Sequence, residues 1–240
     1  MRVQLFIPCF VDQLYADTAF NMAKVLKKVG CDVHYNTNQT CCGQPAFNAG
    51  FWDEAKEVCL KFINDFDNTD YIVAPSASCV GFVRNYYKKI FENTPEAAKV
   101  INLEKRIFEF SEFLVDVLNI ENIGAEFNTK ATYHDSCAAL RECKIKDAPR
   151  KLLSNVKGLE LIEMNEVETC CGFGGTFAVK FDGISIAMAD QKTTNALITK
   201  ADYIISTDLS CLMHIEGYSK GKNLLIKTIH IADVLANGWE

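Results

Sequence analysis

Residues 168–177 read ETCCGFGGTF, two adjacent cysteines running into a glycine-rich turn. Neighbouring cysteines do not readily bond to each other, because their side chains diverge and the ring is strained. They can instead reach one shared object from a tight turn, where glycines let backbone N–H groups approach sulfur or another anion. The plain alternative is a pair of small buried hydrophobes, since free cysteine is often a core residue. The rest of the chain decides between them. Thr40-Cys41-Cys42-Gly43 recurs as Thr169-Cys170-Cys171-Gly172, and Cys9 upstream of the first pair matches Cys137 upstream of the second. Downstream, residues 70–79 (DYIVAPSASC) match residues 202–211 (DYIISTDLSC) in Asp, Tyr, Ile, Ser and Cys. The chain reads as an internal duplication of a four-cysteine set, and eight of its 11 cysteines belong to the pattern. Chance burial does not explain that.

The duplication divides the 240 residues into two lobes, 1–120 and 129–240, with the boundary within 120–128. Hydrophobic content of 49% with 23% charged residues supports a real core. The net charge of −6 argues against nucleic acid and against an anionic membrane surface as the main partner. The apolar run Val3 to Cys9 is too short for a signal peptide or a membrane span and reads as a first strand. A cytoplasmic, reducing setting is therefore expected, in which so many cysteines mean metal or redox chemistry more than disulfides.

Strands and helices alternate in each half. Strands are expected over 3–8, 32–35 and 71–74, and helices over 16–29, 46–66, from near Cys79, and over 107–118. The second half repeats this, with strands over 130–134, 159–164 and 203–206, helices over 148–155 and 184–200, and a closing segment at 229–235 that echoes 108–114. The fold class expected is α/β: two pseudo-twofold-related Rossmann-like lobes, each a parallel sheet flanked by helices. Sites in such sheets lie beyond the carboxyl ends of the strands. Cys9, Cys79, Cys137 and Cys211 fall at or just past those ends, and both CysCys pairs fall in loops. Three distant segments per lobe can thus converge, with both loops facing the space between the lobes. Gly172-Phe173-Gly174-Gly175 lacks the GxGxxG spacing of a dinucleotide fingerprint.

Four thiolates per lobe suit a structural zinc, an iron–sulfur cluster or a redox dithiol. Zinc knuckles usually show two close CxxC pairs, whereas these ligands are spread widely and suit a larger object held between loops. The turn at Gly172, Gly174 and Gly175 could supply N–H···S bonds to such a cluster. In the first lobe, Gln44-Pro45-Ala46 follows the cysteine pair instead, which predicts weaker metal binding there. His134 and Asp135 precede Cys137 and read either as a pair that tunes a cluster or relays a proton, or as a capping Asp beside a packed His. Cys31, Cys59 and Cys143 have no counterpart in the repeat and read as core or surface thiols.

These cysteines carry a resemblance. The arrangement of Cys9, Cys41-Cys42-Gly43 and Cys79, and again of Cys137, Cys170-Cys171-Gly172 and Cys211, resembles the cysteine-rich CCG domain of heterodisulfide reductases. The iron–sulfur subunits of glycolate oxidase and anaerobic glycerol-3-phosphate dehydrogenase carry the same domain. Tyr133-His134-Asp135-Ser136-Cys137 with Leu140-Arg141 resembles that family's second-lobe strand end. A stand-alone pair of such domains, with Pro8-Cys9-Phe10, Thr40-Cys41-Cys42-Gly43-Gln44-Pro45 and Ser210-Cys211-Leu212-Met213-His214, is most similar to the lactate utilization protein A family. In its fullest form the domain ends each half with CxxC; here Phe82 and His214 take the last position. Four cysteines per lobe then imply an ordinary [4Fe–4S] cluster in the second lobe on Cys137, Cys170, Cys171 and Cys211. A second cluster or zinc in the first lobe would use Cys9, Cys41, Cys42 and Cys79, and His214 is a further candidate ligand. The resemblance implies an electron-transfer subunit of an oxidoreductase that oxidises L-lactate to pyruvate with LutB-like and LutC-like partners. A heterodisulfide-type thiol–disulfide reductase subunit and a zinc-stapled scaffold are the alternatives.

Overall fold

The computed structural model describes residues 1–239. β1 (Arg2–Leu5), β2 (Asp32–Tyr35), β3 (Tyr71–Ala74) and β4 (Ile107–Glu109) form one sheet; β5 (Glu126–Tyr133), β6 (Lys157–Leu161), β7 (Tyr203–Ser206) and β8 (Lys227–His230) form the other. The first sheet is ordered β2-β1-β3-β4 and the second β6-β5-β7-β8, the same order in both halves. Every pairing within them is parallel. The central strands match in register: Leu5 faces Val73, and Tyr133 faces Ile205. Crossover helices cover the sheets, so β3 and β7 bury nearly all their residues, as parallel strands must when both faces are covered.

Two expectations need correction. Residues 46–66 are not one helix: Gln44–Ala49 and Trp52–Asp65 are separate, because Gly50 takes φ +90° and ends the first in a left-handed cap. Residues 107–118 do not close the first lobe as a single helix. Ile107 and Glu109 are buried and pair with β3, so the segment opens as a strand. Glu109 then caps Phe110–Glu112, which runs into a π-helical turn over Phe113–Val117. The echoing segment does the same: β8 ends at His230, whose ring caps helix Ile231–Leu235.

The lobes meet by exchanging helices. Helix Ala16–Lys28 of the first packs on helix Ile231–Leu235 of the second, while helix Asp147–Ser154 of the second packs on Phe110–Glu112 of the first. That reciprocal swap is what a pseudo-twofold axis produces. The axis runs by the isolated antiparallel bridge Ser76–Asp208, which joins equivalent positions of the repeat. One hydrophobic core is continuous through both lobes.

Candidate metal centre

Each cysteine set is assembled by three segments ending at the carboxyl edge of a sheet. Cys9 opens helix Cys9–Leu14 just after β1, and Cys79 lies in the first turn of helix Ala77–Ile90 after β3. Cys137 lies just past β5, after His134, Asp135 and Ser136, and caps the π-helical turn Ala138–Cys143, while Cys211 lies in the first turn of helix Leu209–Gly221 after β7. Helical first turns present unpaired N–H groups and a partial positive charge, which favour thiolates. The CysCys loops supply the middle of each set.

In the first lobe the thiols form a row: Cys9 contacts Cys41, Cys41 contacts Cys42, and Cys42 contacts Cys79. The second lobe repeats it as Cys137, Cys170, Cys171 and Cys211. All 11 cysteines are free thiols. Hydrogen bonds from Cys42, then Cys9, and from the Gly43 backbone hold Cys41 down at about 3; Gly43 N–H donates to its Sγ at 3.4 Å. Cys170 lies at about 2 through Cys137, then Cys171, with Gly172 N–H on its Sγ at the same 3.4 Å. The neighbours that donate are pushed up in turn: Cys9 by Cys41, Cys42 by Cys41, Cys137 by Cys170 and Cys171 by Cys170. Each row is thus chained by hydrogen bonds onto one sulfur, Cys41 in the first lobe and Cys170 in the second. Gly43 and Gly172 place one N–H each on the first sulfur of their pair.

Both turns require glycine. Gly43 has φ +91° and Gly172 φ +94°, where a side chain is strained. A Cβ on Gly43 would lie 2.8 Å from Cys59 Sγ, and one on Gly172 2.7 Å from Ser185 O. After Gly43 the first loop enters a helix at once, whereas the second continues through Gly174 and Gly175, both at positive φ, before helix Thr176–Lys180. The helices leading out of the two loops pack on each other, and the Phe10 and Phe173 rings beside the two sets lie 6.3 Å apart.

Around the second set the surroundings are polar where those of the first are aromatic. His134 is fully buried, and neither ring nitrogen has a hydrogen-bond partner. An imidazole nitrogen, Cys171 Sγ and Cys211 Sγ all lie within 4.8 Å of one another. Burial, with the Lys192 ammonium nearby, lowers the imidazole pKa to about 3, so it is neutral and able to ligate. Lys192, itself buried, donates to the carbonyls of Glu166 and Val167 at 2.8 and 3.1 Å and pins the strand-to-loop segment ahead of the cysteines. Asp135 is taken up by Arg150, which donates to both its oxygens at 2.9 Å. His214 lies partly buried with Nε2 3.1 Å from Ser185 Oγ and its ring 6.1 Å from that of Phe173. On the outside, Cys170 faces a shallow cleft lined by Arg141, Glu166, Val167, Glu168, Thr169 and Met188.

Cys31, Cys59 and Cys143 are buried outside the rows. Cys59 Sγ donates to Cys42 O and Cys143 Sγ to Ala77 O, each at 3.4 Å. Asp208 was not legible as a site residue, although the repeat places it opposite Ser76. One carboxyl oxygen accepts from Ser76 Oγ, Ser78 Oγ and Ser78 N, and the other from Ser136 Oγ. It ties the turn before Cys79 to the turn before Cys137.

The donor chemistry fits a thiophilic metal group: soft thiolates select iron–sulfur clusters or zinc, and a buried imidazole without a partner stands at the second set. The chain matches the cysteine-rich domain family CCG twice, over residues 3–84 and 131–216. It is 42% identical over 236 residues to lactate utilization protein A of Oceanobacillus iheyensis, covering 98% of this chain and 96% of that protein. It is 40% identical over 239 residues to lactate utilization protein A 2 of Bacillus cereus, covering 99% of each. A solved hypothetical protein from Helicobacter pylori shares the fold with a TM-score of 0.63 at 14% identity, covering 100% of this chain and 49% of that one. No helix among the described residues is long and apolar enough to cross a membrane.

Proposed function

Because the chain belongs to the lactate utilization protein A family, built from two CCG cysteine-rich domains, we propose that it is the iron–sulfur electron-transfer subunit of an oxidoreductase converting L-lactate to pyruvate. The observation that carries this is the duplicated row of four thiols, each with a glycine turn beneath it whose N–H donates to one of the sulfurs. Cys137, Cys170, Cys171 and Cys211 would hold a [4Fe–4S] cluster, and Cys9, Cys41, Cys42 and Cys79 a second cluster or zinc. Such a group supplies one-electron transfer. The chain's own residues exclude water from Cys42, Cys171 and Cys211, fix the rows through Asp208 and the two glycines, and leave Cys9 exposed.

Lactate oxidation releases two electrons and two protons, and no flavin or nicotinamide motif is visible in this sequence. Hydride chemistry therefore belongs to a partner, and this chain relays electrons. LutB-like and LutC-like partners are the candidates for a cytoplasmic complex. Exposed Phe51, Trp52, Val179 and Phe181, beside the two touching helices, offer the LutB-like iron–sulfur protein an apolar seat near both rows. Replacing the chromosomal copy with a Cys170→Ser, Cys171→Ser variant tests the role. Growth on L-lactate should fail while growth on a sugar continues; undiminished growth on L-lactate would overturn it.

A further inference from the structure

His134 and Phe6 occupy the same place in the two lobes. Each is the first residue past its central strand, and each donates its backbone N–H to the neighbouring strand: Phe6 to Val73 O at 3.0 Å, His134 to Ile205 O at 2.8 Å. Both are fully buried. Phe6 is satisfied there, packed edge-on against Phe62 at 4.7 Å and against Phe66 at 5.8 Å. The helix that supplies Phe62 in the first lobe buries Lys192 at the matching position in the second, so no aromatic partner awaits the imidazole. Burying an imidazole with both nitrogens unpaired is costly. A phenyl ring would fill the site without that cost, as the first lobe demonstrates. The imidazole instead comes within 4.8 Å of Cys171 and Cys211 Sγ, themselves within that distance of each other.

We propose that His134 is a metal ligand specific to the second lobe, its imidazole nitrogen joining Cys171 and Cys211 on a borderline-soft transition-metal ion, iron or zinc. The inference deepens the metal-binding reading above and makes the two lobes chemically different: sulfur alone in the first, sulfur and nitrogen in the second. Imidazole and thiolate together suit such ions.

Cobalt(II) alone, added to full-length apoprotein, reports on this without needing a cluster. X-ray absorption at the cobalt edge of the wild type should show imidazole scattering alongside sulfur. That scattering should vanish in His134→Phe and persist in His214→Ala. Cobalt affinity of one site should fall in His134→Phe by on the order of 10-fold or more, with its ligand-field bands moved to longer wavelength. Phenylalanine is the chosen substitute because the first lobe already buries it at this place. Sulfur scattering alone in the wild type, or an unchanged His134→Phe spectrum, overturns the proposal. Iron and sulfide analysis of anaerobically purified protein tests the cluster separately: cobalt results as expected with no sulfide would keep His134 as a ligand and discard the cluster.

Discussion

Glu109 and His230 mark how far the two lobes have diverged at single positions while keeping one backbone. Each ends the fourth strand of its sheet and caps the helix that follows, Glu109 accepting from Ser111 N and Glu112 N, His230 from Ala232 N. Glu109 is fully buried with Oε1 unpaired, and burial raises its pKa to about 8 despite the hydrogen bonds from Ser111. A carboxyl whose folded pKa is raised contributes stability that is complete below its unfolded value and is lost as pH rises through the folded value. Glu109 should thus weaken the fold progressively between pH 4.5 and 8. Glu109→Gln keeps the cap acceptor but cannot ionise. Relative to wild type it should gain about 1.4 kcal/mol per pH unit within that window and nothing above it. Denaturant titrations across pH measure this; a difference that does not change with pH would refute it. Single residues were unevenly legible in the sequence. The cysteines stood out because thiol pairs repeat, and His134 because it precedes one of them. Lys192, Arg150 and Asp208 carried no such mark, because their roles depend on which strands and helices meet.

Among the elements, the CysCys turns depend on backbone conformation as much as on sulfur. Gly172 at φ +94° already lies where a side chain is strained, and a Cβ there would also sit 2.7 Å from Ser185 O and 2.9 Å from Met188 Cβ. Left-handed strain costs roughly 1–2 kcal/mol and overpacking roughly 1–3 kcal/mol. Gly172→Ala should therefore lose about 2–5 kcal/mol, read by denaturant unfolding of apoprotein. Gly183→Ala, where a Cβ meets nothing within 4 Å, is the control and should stay within about 0.5 kcal/mol. Equal losses at the two glycines would remove the turn from the account. Strand and helix identity were readable wherever alternation was clean: residues 32–35, 71–74 and 203–206 are strands with those bounds. The misreadings have local causes. Gly50 breaks a run whose apolar spacing continues across it. Residues 107–109 join the sheet because β3 has an open edge to pair with, which helical spacing in 107–118 conceals.

At the scale of the molecule, the lobes are two copies of one sheet order joined through exchanged helices and a single continuous core. The duplication was legible from the repeated cysteines and the residues that flank them, and the parallel sheets from the alternation. The exchange of helices was not, because it involves Asp233 accepting from Thr18 Oγ1 at 2.8 Å and Asn21 at 2.9 Å, contacts between distant segments. With no separate core in either lobe, calorimetry of apoprotein should give one unfolding transition; two resolved transitions would contradict the shared core. We propose above all that the second thiol row holds an iron–sulfur cluster and that the first holds a second cluster or zinc more weakly. Iron and acid-labile sulfide in anaerobically purified wild-type, Cys42→Ser and Cys171→Ser proteins test it most directly. The wild type should carry both elements, with most of each lost in Cys171→Ser and a smaller loss in Cys42→Ser. A wild type without labile sulfide, or a Cys171→Ser protein that keeps its iron and sulfide in full, would contradict it.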